Sequence, residues 1–231
     1  TGNIVPVDDN SDGYVDLLYV ADLGGRIFRI DFNREEAKSG STNPTNYATG
    51  GMIADLGANK SEVDHVRFYE TVDVVYSREF SYVEGSGSNQ RFIQKPRYML
   101  NIGSGYRAHP LDASALDNFY VVFDYNTEGP ARNAQGNPTY KAIVKADLQK
   151  YEFSGTDDLS LEPTTKSNNG FYLRLISASG GEKSLSSSIT LDNTIYFTTF
   201  RPSDGTNSNS CSADLGDSRL YRIKLSAGRN S

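Results

Sequence analysis

An all-β fold of the β-propeller kind is predicted by three observations. Short runs of β-branched and aromatic residues are cut by Gly, Asn, Asp and Ser clusters, with no amphipathic helical period between them. Similar strand-plus-turn phrases recur along the chain, as they do in propeller blades. The 231 residues include 15 Tyr and 11 Phe, large side chains that let a sequence of modest apolar content build a core. The length suits a single domain spanning 1–231, either a propeller or part of one.

In chain order, the periodicity predicts strands at Leu17–Ala21, Gly25–Asp31, Met52–Leu56, Thr71–Tyr76, Tyr98–Ile102, Phe119–Asp124, Ala142–Asp147, Tyr172–Ser177, Ser187–Leu191, Thr194–Phe200 and Arg219–Leu225. The plainest hairpin is Ile189–Phe197, where Asp192-Asn193 supplies two residues that tolerate the positive φ of a primed turn. Arg26-Ile-Phe-Arg-Ile30 and Arg219-Leu-Tyr-Arg-Ile223 read as one repeated phrase. Phe119-Tyr-Val-Val-Phe123 and Ile195-Tyr-Phe-Thr-Thr199 are looser cousins, each introduced by Asp-Asn. These strands make about three blades, whereas a closed propeller needs at least four. The sequence therefore predicts an incomplete set of blades, a fragment of a larger propeller, or edge strands too polar to recognise. Long polar insertions at Asn33–Tyr47, Glu84–Gln94, Asn126–Thr139, Ser154–Asn169 and Ser203–Asp217 read as surface loops.

Charge and composition exclude several functions. With 23 Lys+Arg against 29 Asp+Glu, and no basic stripe, the chain lacks the electrostatic footprint of a nucleic-acid binder. No apolar run is long enough to cross a membrane as a helix, and no signal peptide opens the chain. It starts at Thr1, which suggests a mature segment or an excised fragment with any targeting sequence upstream. The single Cys211 allows neither an intramolecular disulfide nor a cysteine zinc site. His65 and His109 stand alone in loops, and Glu35-Glu36 and Asp157-Asp158 read as solvated charge pairs. No nucleophile–base order emerges, so no enzyme is expected.

One motif carries specific chemistry. Asp8-Asp-Asn-Ser-Asp-Gly-Tyr-Val-Asp16 follows the pattern D-x-N-x-D-G-x-x-D. Calcium takes 6–8 oxygen ligands, and alternate positions of a tight loop can aim their oxygens at one centre. The expected ligands are the side chains of Asp8, Asn10, Asp12 and Asp16 and the carbonyl of Tyr14, with Gly13 at the reversal. Position twelve, where a helix–loop–helix sensor carries a bidentate Glu, is Tyr19 here. The following Leu17-Leu-Tyr-Val-Ala21 reads as a strand, so the sequence predicts a calcium loop between strands. Three carboxylates at one point repel each other without a cation, and a divalent ion reverses that.

From this loop onward the chain resembles the C-terminal, quinoprotein-like propeller of the PilC/PilY family of type IV pilus assembly and tip-adhesin proteins. The first block is the loop with Leu18-Tyr-Val-Ala-Asp-Leu-Gly-Gly-Arg-Ile-Phe-Arg-Ile-Asp31. The second is Ile102-Gly-Ser-Gly-Tyr-Arg-Ala-His-Pro-Leu111 followed by Phe119–Asp124. The third comprises Gly170-Phe-Tyr-Leu-Arg-Leu175, Gly181-Glu-Lys183, Ile195–Pro202, Cys211 and Leu220-Tyr-Arg-Ile223. Phe171 and Lys183 depart from a family pattern of Trp and Arg, and the Arg-Gly-Asp tripeptide of some members is absent. The resemblance implies an exported protein at the bacterial cell surface, on the pilus tip or outer membrane. It implies minor pilins as partners, adhesion to host-cell or abiotic surfaces, and calcium control of pilus extension, retraction and twitching. The ligand positions Asp8, Asn10, Asp12, Tyr14 and Asp16 carry over residue by residue.

Two rivals remain. Integrin-α-like adhesive ectodomains use a similar calcium loop but repeat it in successive blades, whereas it occurs once here. A quinone-dependent dehydrogenase would stack its cofactor on Trp, and the chain has none.

Overall fold

The structure is a computed structural model that describes residues 2–33, 47–57, 65–78, 81–152, 158–161, 166–175, 181–203 and 216–225. Glu35-Glu36, Asp157 and Cys211 lie outside the described residues. Almost all regular structure is strand, as the periodicity predicts.

The chain first lays down β1 (Val5–Val7), β2 (Leu17–Ala21), β3 (Arg26–Phe32) and β4 (Ala48–Asp55), an antiparallel meander. It continues through β5 (Asp73–Ser77), the two-stranded ribbon β6 (Ser81–Glu84) and β7 (Arg91–Gln94), then β8 (Arg97–Gly103) and β9 (Asn118–Asp124). A small ribbon, β10 (Ala131–Arg132) with β11 (Pro138–Thr139), precedes three short strands: β12 (Ile143–Val144), β13 (Gln149–Tyr151) and β14 (Asp158–Leu161). The rest comprises β15 (Gly170–Arg174), β16 (Lys183–Ser184), β17 (Ile189–Leu191), β18 (Thr194–Arg201) and β19 (Asp217–Leu225).

These strands form three open five-stranded sheets. The first has the order β1-β2-β3-β4-β12, the second β13-β15-β9-β8-β5, and the third runs β14-β19-β18 with β16 and β17 both on β18. The sheets stack in layers. One core joins Leu17, Tyr19 and Ile27 of the first sheet to Leu100, Ile102 and Tyr120 of the second. Another joins Met99, Phe119 and Phe171 of the second to Ile195, Phe197 and Ile223 of the third. Strands of the middle sheet are therefore covered on both faces, and β8 and β9 are buried at every position. β2 of the first sheet keeps the alternation of a strand with one covered face.

A single stretch of chain ties the three layers together. β12 pairs parallel with β4, β13 with β15 and β14 with β19, so consecutive short strands add a fifth strand to each sheet in turn. This strap covers the open ladder of three edge strands, which would otherwise offer unpaired N–H and C=O groups to other chains. Two sequence expectations change here. Ala142–Asp147 is a strand only at Ile143–Val144, followed by a 3-10 turn at Lys145–Asp147. Ser154–Asn169, read as a loop, contributes β14.

The repeats separate into one real pair and one coincidence. β9 and β18 occupy the same place in their sheets, each two strands in from the strap, so the Phe119 and Ile195 phrases are structural equivalents. The Arg26 and Arg219 phrases are not equivalent, because β3 is the third strand from its strap edge and β19 the second. Their side chains have opposite parity: Arg29 is buried whereas Arg222 is exposed. The Asp192-Asn193 hairpin has the expected form, with φ of 47° and 55° and Leu191 opposite Thr194.

Candidate metal site and the charged junction beneath it

The Asp8–Asp16 loop connects β1 to β2. The Asp16 N–H donates to the Val7 carbonyl at 2.8 Å, and the Phe32 N–H donates to the Asp16 carbonyl at 2.8 Å, so the loop's last residue is held between β1 and β3. Ser11 and Gly13 take φ of 59° and 89°. A Cβ on Gly13 would meet nothing within 4 Å, so glycine is favoured there by backbone conformation and not by space.

The side-chain oxygens face into the loop. Asp12 N–H donates to Asp8 Oδ1 at 3.2 Å and to Asn10 Oδ1 at 3.0 Å. Gly13 N–H donates to Asp8 Oδ2 at 2.7 Å, Tyr14 N–H to Asp12 Oδ1 at 3.0 Å, and Asp9 N–H to Asp16 Oδ2 at 2.9 Å. The loop is exposed, with Asp16 half-buried and the Tyr14 ring in solvent. Among the described residues no three acidic, His or Cys side chains are gathered into a metal-binding group. The carboxylates instead bond the loop's own N–H groups. The donor chemistry nevertheless fits a hard cation, because every expected ligand offers oxygen and a carboxylate has about four lone-pair sites.

Beneath the loop lies a network that the sequence reading missed. Arg29 is fully buried on β3. Its Nε donates to Asp31 Oδ1 at 2.9 Å, and its NH1 donates across the layer to Asp124 Oδ2 on β9 at 2.7 Å and to the Asn126 carbonyl at 2.7 Å. Tyr19 OH donates to the same Asp124 oxygen at 2.9 Å, and Tyr140 OH to Asp31 Oδ2 at 2.8 Å. Burial works against the Arg29 charge, yet the Asp31 and Asp124 carboxylates outweigh it and hold its pKa above the ordinary value. Burial, then Asp124, pushes the Tyr19 hydroxyl well up; burial, then Asp9, brings Tyr98 up to about 12. The signal was available: inward Leu17, Tyr19 and Ala21 on β2 face β3 partners whose parity turns Ile27, Arg29 and Asp31 inward as well.

This junction opens into a cleft of about 500 Å³ whose lining includes Asp9, Asp16, Arg29, Asp31, Glu128 and Arg132. His65 and His109 are both exposed, and His109 sits 4.7 Å from the Tyr106 ring.

The other two resemblance blocks meet at the far end of the sheets. A Cβ on Gly103 would fall 2.2 Å from Ser184 Cβ, and one on Gly105 would fall 2.6 Å from the Ser184 carbonyl. Only glycine lets Gly103-Ser-Gly105 lie against Gly181–Ser184. Ser184 N–H donates to the Ser104 carbonyl at 3.0 Å, and buried Lys183 Nζ donates to the Gly181 carbonyl at 2.6 Å. Burial lowers the Lys183 pKa and raises that of Asp117, whose Oδ1 accepts from Ser104 Oγ at 2.7 Å. Glu182 Oε1 accepts from Thr199 and Tyr221 at 2.6 and 2.5 Å. These residues lock the second sheet to the third.

Layered, mostly antiparallel sheets with an Asp-rich loop between the first two strands define the class: an all-β, multi-sheet protein with a candidate oxygen-ligand site. No family model matches the chain, and no curated protein matches its sequence. Among solved structures, the crystal structure of the Pseudomonas aeruginosa PilY1 C-terminal domain is similar, with a TM-score of 0.57 at 17% identity. The match covers 99% of this chain and 47% of that one, so the chain spans about half its length. The resemblance read from the residues is thus borne out at the level of the fold.

Proposed function

We propose that the protein is a non-enzymatic, calcium-binding type IV pilus biogenesis factor and tip-associated adhesin, with its three sheets serving as blades of a β-propeller. It acts at the bacterial cell surface with minor pilins, and calcium at the Asp8–Asp16 loop tips the balance between pilus extension and retraction, and with it adhesion and twitching. The observation that carries this reading is the position of the loop, clamped between β1 and β3 one residue from the Asp31–Arg29–Asp124 bridge. The likeness to the PilY1 domain supports it.

Asp8, Asn10, Asp12 and Asp16 side chains with the Tyr14 carbonyl would hold the ion, whose charge offsets the repulsion among the three carboxylates. The chain's own residues carry the effect inward. Asp16 fixes the edge of β3 through Phe32, β3 presents Asp31 to Arg29, and Arg29 reaches β9 of the second sheet. A loop ordered at one end thereby biases how the first two sheets meet. The test is a count of surface pili in cells carrying Asp16→Ala. A changed count is expected, and an unchanged one at normal protein levels contradicts the reading.

A further inference from the structure

Beside the loop, between β1 and β5, lies a second cleft of about 760 Å³. β1 ends the first sheet and β5 ends the second, so the cleft runs between two terminal strands. One wall is apolar and aromatic, formed by Val5, Val7, Val74, Tyr76 and Tyr98. Tyr76 is 50% exposed, yet its ring is backed edge-on by Tyr98 at 5.8 Å, which packs on Tyr19 at 6.0 Å. The exposed ring is therefore a rigid platform tied to the core. Asp8, Asp9 and Glu128 are its acidic lining residues. Arg78 is the one cation among the described lining residues, and its guanidinium lies 5.6 Å over the Tyr76 ring while its Nε donates to the Tyr76 hydroxyl at 3.1 Å.

The chain thus shows what its wall accepts: a guanidinium on an electron-rich ring face, in a cleft lined by carboxylates. We propose that this cleft receives an extended segment of a partner protein, which lays a Lys or Arg side chain over Tyr76 within reach of Asp9 and Glu128. In the free protein Arg78 occupies that place. A terminal strand such as β5 can also accept the backbone of an added strand, which selects an extended segment over an isolated cation. The volume falls in the range of sites that bury a few residues or a small ligand. Asp8 and Asn10 of the proposed calcium set also line the cleft, whereas the proposed contacts are Tyr76, Asp9 and Glu128, so binding that persists in EDTA separates this proposal from the calcium reading.

The probe is the peptide acetyl-Val-Arg-Val-Lys-Val-amide, titrated into the intact protein by NMR in calcium and again in EDTA. An acidic counterpart with Glu at both charged positions and free arginine amide are the controls. Saturable shifts of β5 resonances are expected with the cationic peptide alone. Tyr76→Ala and Glu128→Gln should each weaken binding about tenfold, as truncation of an anchoring contact does. Arg78→Ala should tighten it several-fold by removing the internal competitor. All three sites are exposed, and an unchanged melting temperature shows that each variant is folded. The proposal is overturned by absent binding, by equal binding of the acidic peptide or of arginine amide, by indifference to Tyr76→Ala, or by weaker binding in Arg78→Ala.

Discussion

Where the first sheet meets the second, Arg29 is buried between Asp31 and Asp124, whose carboxylates also accept from the Tyr140 and Tyr19 hydroxyls respectively. Where the second meets the third, Phe119 stacks on Phe197 at 3.8 Å, Phe197 on Tyr221 at 5.0 Å, and glycines bring Ser104 and Ser184 into backbone contact. Both junctions join layers of the same construction, but an ion bridge crosses the first, whereas the second adds stacked rings and close glycines to the buried Lys183, Asp117 and Glu182 hydrogen bonds. A buried ion network gains little net stability over apolar packing but is strongly penalised when one partner is lost. A stacked aromatic junction depends on volume and shape. The charged junction lies beneath the candidate metal loop, where a change of charge can be felt, and the aromatic junction lies away from it.

Replacing one member of each junction separates these accounts. Arg29→Ala leaves two buried carboxylates uncompensated and should cost about 3–5 kcal/mol in denaturant unfolding. A loss of under about 1 kcal/mol, the range of a surface pair, would break the distinction. Gly103→Ala forces a methyl against Ser184 and should cost about 1–3 kcal/mol by overpacking, with no salt dependence.

Alkaline titration tests both junctions at once. Burial raises Tyr98, Tyr140 and Tyr221 to about 12, helped at Tyr98 by Asp9 and at Tyr221 by a hydrogen bond to Glu182. Because the folded pKa lies above the unfolded value near 10, the neutral hydroxyls contribute fully below about pH 10. That contribution is lost as pH rises towards 12. Phenolate absorbance should show a late-titrating class of tyrosines, from which Tyr98→Phe removes one member. The smallest effect is expected at Gly13, where alanine has room but the wrong φ, with a cost of about 1–2 kcal/mol.

What the sequence disclosed follows from what periodicity can carry. β2 was legible because one face is buried and its residues alternate, and the Asp192-Asn193 turn because positive φ selects those residues. The place of the Asp8–Asp16 loop between two strands was legible because the strand after it alternates. The strap was not: Gln149–Tyr151 and Asp158–Leu161 are short strands that pair through backbone at sheet edges, too short for a period to be read from sequence. The Arg26 and Arg219 phrases misled because a strand's period of two allows the same words to face opposite ways. Arg29 and Asp124 lie 95 residues apart, and only the layering of two sheets brings them together.

We propose that the Asp8–Asp16 loop is a calcium site coupled to the Arg29 junction. Calcium titrated calorimetrically into the protein, with hydrogen exchange followed on β2, β3 and β9, tests it most directly. Saturable heat at one site per chain, slowed exchange in all three strands, and loss of both in Asp16→Ala are expected. Absence of heat, or heat that survives Asp16→Ala, would contradict it.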